Sequence, residues 1–130
     1  MSAPQTIATD SAPAAIGPYS QAVLMDGWLW CSGQIGLDPA TMEIVGGGTE
    51  AEALQVLRNL EHVLAAAGCK FADVVKTTIY LVDLGDFAQV NAVYGACFAD
   101  QDPPARATVE VAALPKGARV EIDCVARVRA

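Results

Sequence analysis

Basic residues are scarce in this chain. Eight Lys plus Arg stand against fifteen Asp plus Glu in 130 residues, a net charge of -7. Affinity for phosphate backbones rests on clustered Lys and Arg, so no nucleic-acid partner is expected. The pull of polybasic segments toward anionic membranes is missing as well. Histidine is scarcer still, with His62 alone. Serine–histidine catalysis needs an imidazole held by a carboxylate, and a mid-helix His62 reads instead as a solvent-facing or half-buried helix residue. Four cysteines, Cys31, Cys69, Cys97 and Cys124, lie far apart with no CxxC pair. That excludes a zinc ribbon and a thioredoxin-like motif, and four reduced, mostly buried thiols in a cytoplasmic protein are expected. No metal site is expected from one histidine and scattered thiols. No uncharged apolar run nears the ~20 residues that cross a bilayer, and no signal peptide is readable, so a soluble chain is expected.

Several cofactor and catalytic signatures are also missing. The zinc deaminase pattern H-x-E with P-C-x-x-C does not occur. Gly46-Gly47-Gly48 has no Lys or Ser/Thr in P-loop spacing, and no G-x-G-x-x-G exists. Lys70, Lys76 and Lys116 read as surface charges rather than as anchors for pyridoxal phosphate. No repeat, low-complexity tract or linker interrupts the chain, so one domain over residues 1–130 is expected. The hydrophobic fraction is 53%, about a third of it alanine, which speaks against disorder.

What is present has the punctuation of an α+β domain. The first dozen residues read as an extended arm. Gln21–Met25 and Trp28–Cys31 are apolar runs around Asp26-Gly27, a hairpin signal because a type I′ turn needs positive φ twice. Residues 36–48 read as a loop with room for one short strand. Thr49 and Glu52 have capping-box spacing at the start of a helix. Leu54, Leu57, Leu60 and Leu64 then form an apolar stripe, and Gly68 suits the C′ position. Val74–Val82 reads as a strand, Asp86–Phe98 as a second helix, and Arg106–Val111 and Val120–Val128 as two further strands. The order predicts one mixed sheet with both helices on one face. In the last strand Val120, Ile122, Cys124, Ala126 and Val128 point one way, and Glu121, Asp123, Val125, Arg127 and Arg129 the other. With Trp28 and Trp30 also seeking cover, the second face calls for another subunit.

Two residues stand out chemically. Arg106 is the only cation between Lys76 and Lys116, and Pro103-Pro104 stiffens the chain leading to it. A guanidinium so placed either grips a carboxylate in a pocket or pairs at the surface with Asp100, Asp102 or Glu110. Glu121 lies between Val120 and Ile122, where its carboxyl is either desolvated and tuned for proton transfer or shares a solvated face with Asp123. Tyr19 and Ser32-Gly33 are polar groups near chain bends.

These residues fall into a pattern. Ile16-Gly17-Pro18-Tyr19-Ser20-Gln21-Ala22, Ser32-Gly33-Gln34-Ile35, Val75-Lys76-Thr77-Thr78, Asp86-Phe87 with Val90-Asn91, and the run from Pro104-Ala105-Arg106 through Leu114-Pro115 to Val120-Glu121-Ile122 resemble the Rid family. This is the reactive intermediate deaminase (YjgF/YER057c/UK114) family, and the resemblance is closest to its RidA branch. It runs along nearly the whole chain, with the motifs in order. The resemblance implies a chorismate-mutase-like α+β fold and a homotrimer whose sheets form a central barrel, with ligand clefts between subunits. It implies cofactor-free hydrolysis of 2-imino acids and their enamines, such as 2-aminoacrylate, to 2-oxo acids and ammonia. Pyridoxal-phosphate dehydratases acting on serine and threonine release such species. It implies Arg106 as the carboxylate-binding residue, Glu121 as the group that positions or activates water, and Tyr19, Ser32, Gly33, Asn91 and Thr108 as cleft residues. Val120 would supply an apolar wall. Thr108 departs from RidA members that carry cysteine there. A trimeric binding or regulatory protein that merely holds a small carboxylate is the rival reading; RNA cleavage, claimed for some relatives, conflicts with the acidic charge.

Overall fold

Positive φ at both Asp26 (52°) and Gly27 (83°) closes the predicted hairpin. In the computed structural model, which describes residues 3–129, it joins β2 (Ala22–Met25) to β3 (Trp28–Ile35). The arm adds a strand that the sequence does not announce: β1 (Gln5–Ile7) pairs antiparallel with β2. After a loop containing the single bridge Leu37–Ile44 come α1 (Thr49–Ala66), β4 (Val74–Leu81), α2 (Phe87–Cys97), β5 (Ala105–Glu110) and β6 (Val120–Arg127). The sheet order is β1-β2-β3-β6-β4-β5, with only β4 and β5 parallel, because α2 is the crossover between them. The fold is thus the mixed α+β sheet with two helices that the element order predicts.

Helix α1 ends as expected and begins otherwise. Gly68 adopts φ 76° at C′, with Gly68 N–H donating to Ala65 O and Cys69 N–H to Leu64 O. The capping box at its start does not form. Gly48 occupies the N-cap, the Thr49 hydroxyl donates to Asp86 Oδ2 at 2.7 Å, and Glu52 Oε1 accepts the Arg119 backbone N–H at 2.9 Å. Both side chains are recruited by tertiary partners. The buried stripe is Ala53, Val56, Leu57, Leu60, Val63 and Leu64, while Leu54 is 43% exposed. Each step of three residues falls about 60° short of a full turn, which swings Leu54 out of the row.

One core lies between sheet and helices. Leu29, Ile79, Leu81, Val120, Ile122 and Ala126 rise from the strands against Leu60, Leu64, Val90 and Tyr94. Burying a large aliphatic side chain contributes about 1.5–3 kcal/mol. Strand β6 alternates as predicted: Val120, Ile122, Cys124 and Ala126 are buried, and Glu121, Asp123 and Val125 are half-exposed on the other face. That outer face also carries Trp28 and Trp30, 37% and 56% exposed. All four cysteines are free, three of them buried, and Cys31 and Cys124 sit opposite each other across β3 and β6. The neighbouring Cys31 thiol and burial hold the Cys124 thiol far above its ordinary value. No helix is long and apolar enough to cross a membrane among the described residues.

Candidate active site

Strand parity decides where each candidate side chain goes. Arg106 pairs in register with Thr77, whose side chain is buried under the helices, so Arg106 also points to the helix side, at the open edge of β5. There its guanidinium is shelved by α2. The carbon centre lies 5.0 Å from the Tyr94 ring centroid and 5.4 Å from that of Phe87, and Nη1 donates to Asn91 Oδ1 at 2.8 Å. Tyr94 is itself fixed by a 2.8 Å bond between its hydroxyl and Thr77 Oγ1. Arg106 forms no ion pair with Asp100, Asp102 or Glu110; Glu110 instead accepts the Leu84 N–H. The result is a stacked, oriented cation whose remaining donors face outward. Thr108, two residues on, shares this parity, and its Oγ1 is buried without a hydrogen-bond partner.

Glu121 pairs in register with Tyr80 and points to the opposite, outer face. It forms part of a hollow of about 360 Å³, walled by Ile16, Ile35 and Pro115 and by the polar groups Tyr19, Ser32 and Gly33. Between Cys31 and Gln34 the β3–β6 register shifts, and this bulge sets Gly33 beside the carboxylate. A Cβ at Gly33 would lie 2.5 Å from Glu121 Oε2, so only glycine lets the carboxylate approach so closely. The Ser32 hydroxyl donates to Ser20 O at 2.6 Å, tying the bulge to the segment that carries Tyr19. Burial raises the Glu121 carboxyl above its ordinary value, and the charge of Asp123 raises it further. A carboxyl shifted in this direction is better suited to proton transfer than a fully solvated one.

The predicted residues therefore form two clusters. Arg106, Asn91 and Thr108 lie on the helix side of the β5 edge; Tyr19, Ser32, Gly33 and Glu121 lie around the outer hollow. Within one chain Arg106 and Glu121 point to opposite faces of the sheet. Val120 is not a wall of the site, because alternation buries it in the core.

The family described as Endoribonuclease L-PSP matches residues 9–128. The human 2-iminobutanoate/2-iminopropanoate deaminase is 53% identical over 122 residues, covering 94% of this chain and 88% of that protein. The chain belongs to the Rid family. Among solved structures, RidA from the Antarctic bacterium Psychrobacter sp. is similar with TM-score 0.91 and 49% identity, over 95% of this chain and 99% of that one. The E. coli TdcF structure, described with bound serine, has TM-score 0.91 and 39% identity over 97% of this chain and 99% of that one.

Several residues that build the two clusters of this Rid protein are not singled out by its sequence motifs. Phe87 and Tyr94 read as an apolar helix face, yet they form the shelf under Arg106. Gln21 is buried and clamps the arm: Oε1 accepts Thr9 N–H at 2.7 Å, and Nε2 donates to Pro13 O at 2.7 Å, placing Pro13 and Ala14 at the hollow. Asn59 donates to Ile35 O and Leu37 O and fixes the chain leaving β3. A polar residue inside an otherwise apolar helical face is the one signal that points to Asn59.

Proposed function

We propose that this chain assembles as a homotrimer and hydrolyses 2-imino acids, or their enamine tautomers such as 2-aminoacrylate, to 2-oxo acids and ammonia. The observation that carries the reading is the pairing of two incomplete halves: an outward guanidinium without a carboxylate, and a desolvated carboxylate in a hollow without a cation. The β5 edge of one copy, seated over the outer hollow of the next, would join them. The exposed Trp28 and Trp30 on the outer face favour such burial. The deaminase names of relatives from human and rat, each 53% identical, and the serine described in TdcF point to the same small-carboxylate chemistry.

The chemistry suits the groups. The imine carbon is already electrophilic, so the site must hold the substrate carboxylate and bring water to C2. Two parallel N–H donors of Arg106 fix the carboxylate and with it the plane of the C=N bond. Glu121 takes a proton from water as the oxygen bonds to C2 and returns it to nitrogen as the π bond opens. In the second half Glu121 takes the proton of the new hydroxyl and passes it to the amine nitrogen, and the C–N bond breaks as the C=O bond forms, releasing ammonia. Dehydratases acting on serine and threonine in the cytoplasm would supply the substrate.

Chain mixing tests the reading. Arg106→Ala and Glu121→Gln should each abolish the accelerated decay of 2-aminoacrylate generated by a serine dehydratase. Trimers reassembled from equal amounts of the two variants should regain about a quarter of native activity, since one interface in four then has both groups intact. A native protein that leaves the decay unchanged overturns the hydrolase and leaves only carboxylate binding. Inactive single variants that show no rescue on mixing overturn the shared site.

A further inference from the structure

Beside the hollow lies an acidic group that no step above uses. Asp123 follows Glu121 at the next position of the same parity on β6, so both carboxylates rise from the outer face. Two strand residues span about 6–7 Å. Tyr80 connects them: it stands directly across from Glu121 in the β4–β6 register, while its hydroxyl reaches diagonally and donates to Asp123 Oδ2 at 3.0 Å. Thr78, directly opposite Asp123, completes this patch. Asp123 is thereby held on the same face as Glu121, one same-parity position away, where like charges repel.

We propose that Asp123, tethered by the Tyr80 hydroxyl, is a positioning residue that strengthens the proton affinity of Glu121 in the completed cleft. This rests on the hydrolase reading only for its catalytic consequence. The other groups facing Glu121 do not offset Asp123 within the chain. From β3 it meets Ser32, Gly33 and Gln34, none of them charged, and Tyr19 comes from the arm. Arg119, of the same parity on the other side, turns its Nε toward Glu52 Oε2 at 3.8 Å, and Lys116 Nζ donates to Met42 O. Lys76 is exposed further along β4, in register with Val125. Arg106 of the partner subunit would enter the cleft and pull Glu121 toward ionisation. The charge of Asp123 counters that pull, so that Glu121 keeps a raised proton affinity. In agreement, burial and then the Asp123 charge raise the Glu121 carboxyl, and burial and the bond to Asp123 raise the Tyr80 phenol.

The experiment follows the Glu121 side-chain carboxyl by 13C NMR in the full-length assembled protein labelled at glutamate, the signal being assigned by its loss in Glu121→Gln. At 6–7 Å and an effective dielectric between about 40 and 80, one charge changes proton affinity roughly three- to tenfold. Asp123→Asn should lower the titration midpoint by about half to one pH unit, and Asp123→Glu, which keeps the charge, should restore most of it. The acid limb of the kcat/KM profile should move down by the same amount. An unmoved midpoint in Asp123→Asn, or equal shifts in Asn and Glu variants, overturns the proposal. Should Asp123→Asn not fold, Tyr80→Phe serves: a lowered midpoint supports the tether and an unmoved one overturns it. The titration reads Glu121 without turnover, so a native protein inactive on 2-aminoacrylate would defeat the hydrolase reading while leaving this coupling to be judged on its own.

Discussion

Replacing Gly33 by alanine separates the position of the carboxylate from the integrity of the fold. Gly33 is not among the glycines with positive φ, so an alanine there meets no backbone strain. Its Cβ would sit 2.5 Å from Glu121 Oε2, 2.7 Å from Cδ and 3.0 Å from Cγ. To reach an ordinary contact of 3.4 Å the carboxylate oxygen must retreat by about 0.9 Å. The open hollow gives it room, and the loss of glycine's unfolded-state freedom works in favour of folding, so stability should change by less than about 1 kcal/mol. A displacement of about 1 Å at a reacting group costs on the order of 10²-fold, near 2.7 kcal/mol in the barrier. The expected result is a hundredfold fall in kcat/KM for 2-aminoacrylate or 2-iminobutanoate with an unchanged urea midpoint. In Glu121→Gln the added alanine should cost little more, because the group it displaces no longer transfers protons. Gly33→Ala retaining kcat/KM within about threefold would refute the placement of Glu121 as the proton-transfer group. A loss of activity that tracks a loss of stability would refute the steric reasoning.

Arg106→Lys keeps the charge but loses the planar fork and its seat over Tyr94 and Phe87; a drop of about 1.5–3 kcal/mol, roughly 10- to 150-fold in kcat/KM, is expected, and steady-state kinetics within twofold of native would contradict the clamp. Glu121 also predicts a pH-dependent stability. Its native carboxyl is raised above the ordinary 4.5 by burial, so ionising it opposes folding. That penalty is fully present above the raised native value and vanishes as pH falls below the unfolded one. Glu121→Gln should therefore melt at a higher temperature than native protein near pH 8 and lose the advantage by about pH 4, as calorimetry across that range would read.

Local rules carry well where the chain is its own context. The Asp26-Gly27 turn, the Gly68 terminus of α1 and the alternation of β6 depend on backbone conformation and strand period alone, and each is legible in the sequence. Legibility fails where a distant group competes for the same side chain. Thr49 and Glu52 have the spacing of a cap, but Asp86 and the Arg119 backbone offer partners that the cap cannot match. Strand β1 hides in an Ala- and Pro-rich arm because three residues carry no period, and its pairing with β2 supplies the order.

The chemical groups themselves, one arginine behind a Pro-Pro approach and one glutamate between apolar neighbours, were fixed by the chain, as was a mixed sheet to carry them. Which side of that sheet Arg106 takes was not. Sidedness follows from strand register, and the register of β5 against β4 and of β6 against β4 and β3 arises only when residues far apart in sequence pair. A shift of one residue would turn Val120, Ile122, Cys124 and Ala126 of β6 out of the core, so that apolar row holds Glu121 on the outer face. Strand β5 has no such row, and only its pairing with β4 sets the face of Arg106. The tertiary pairing alone decided that the cation and the carboxylate face apart.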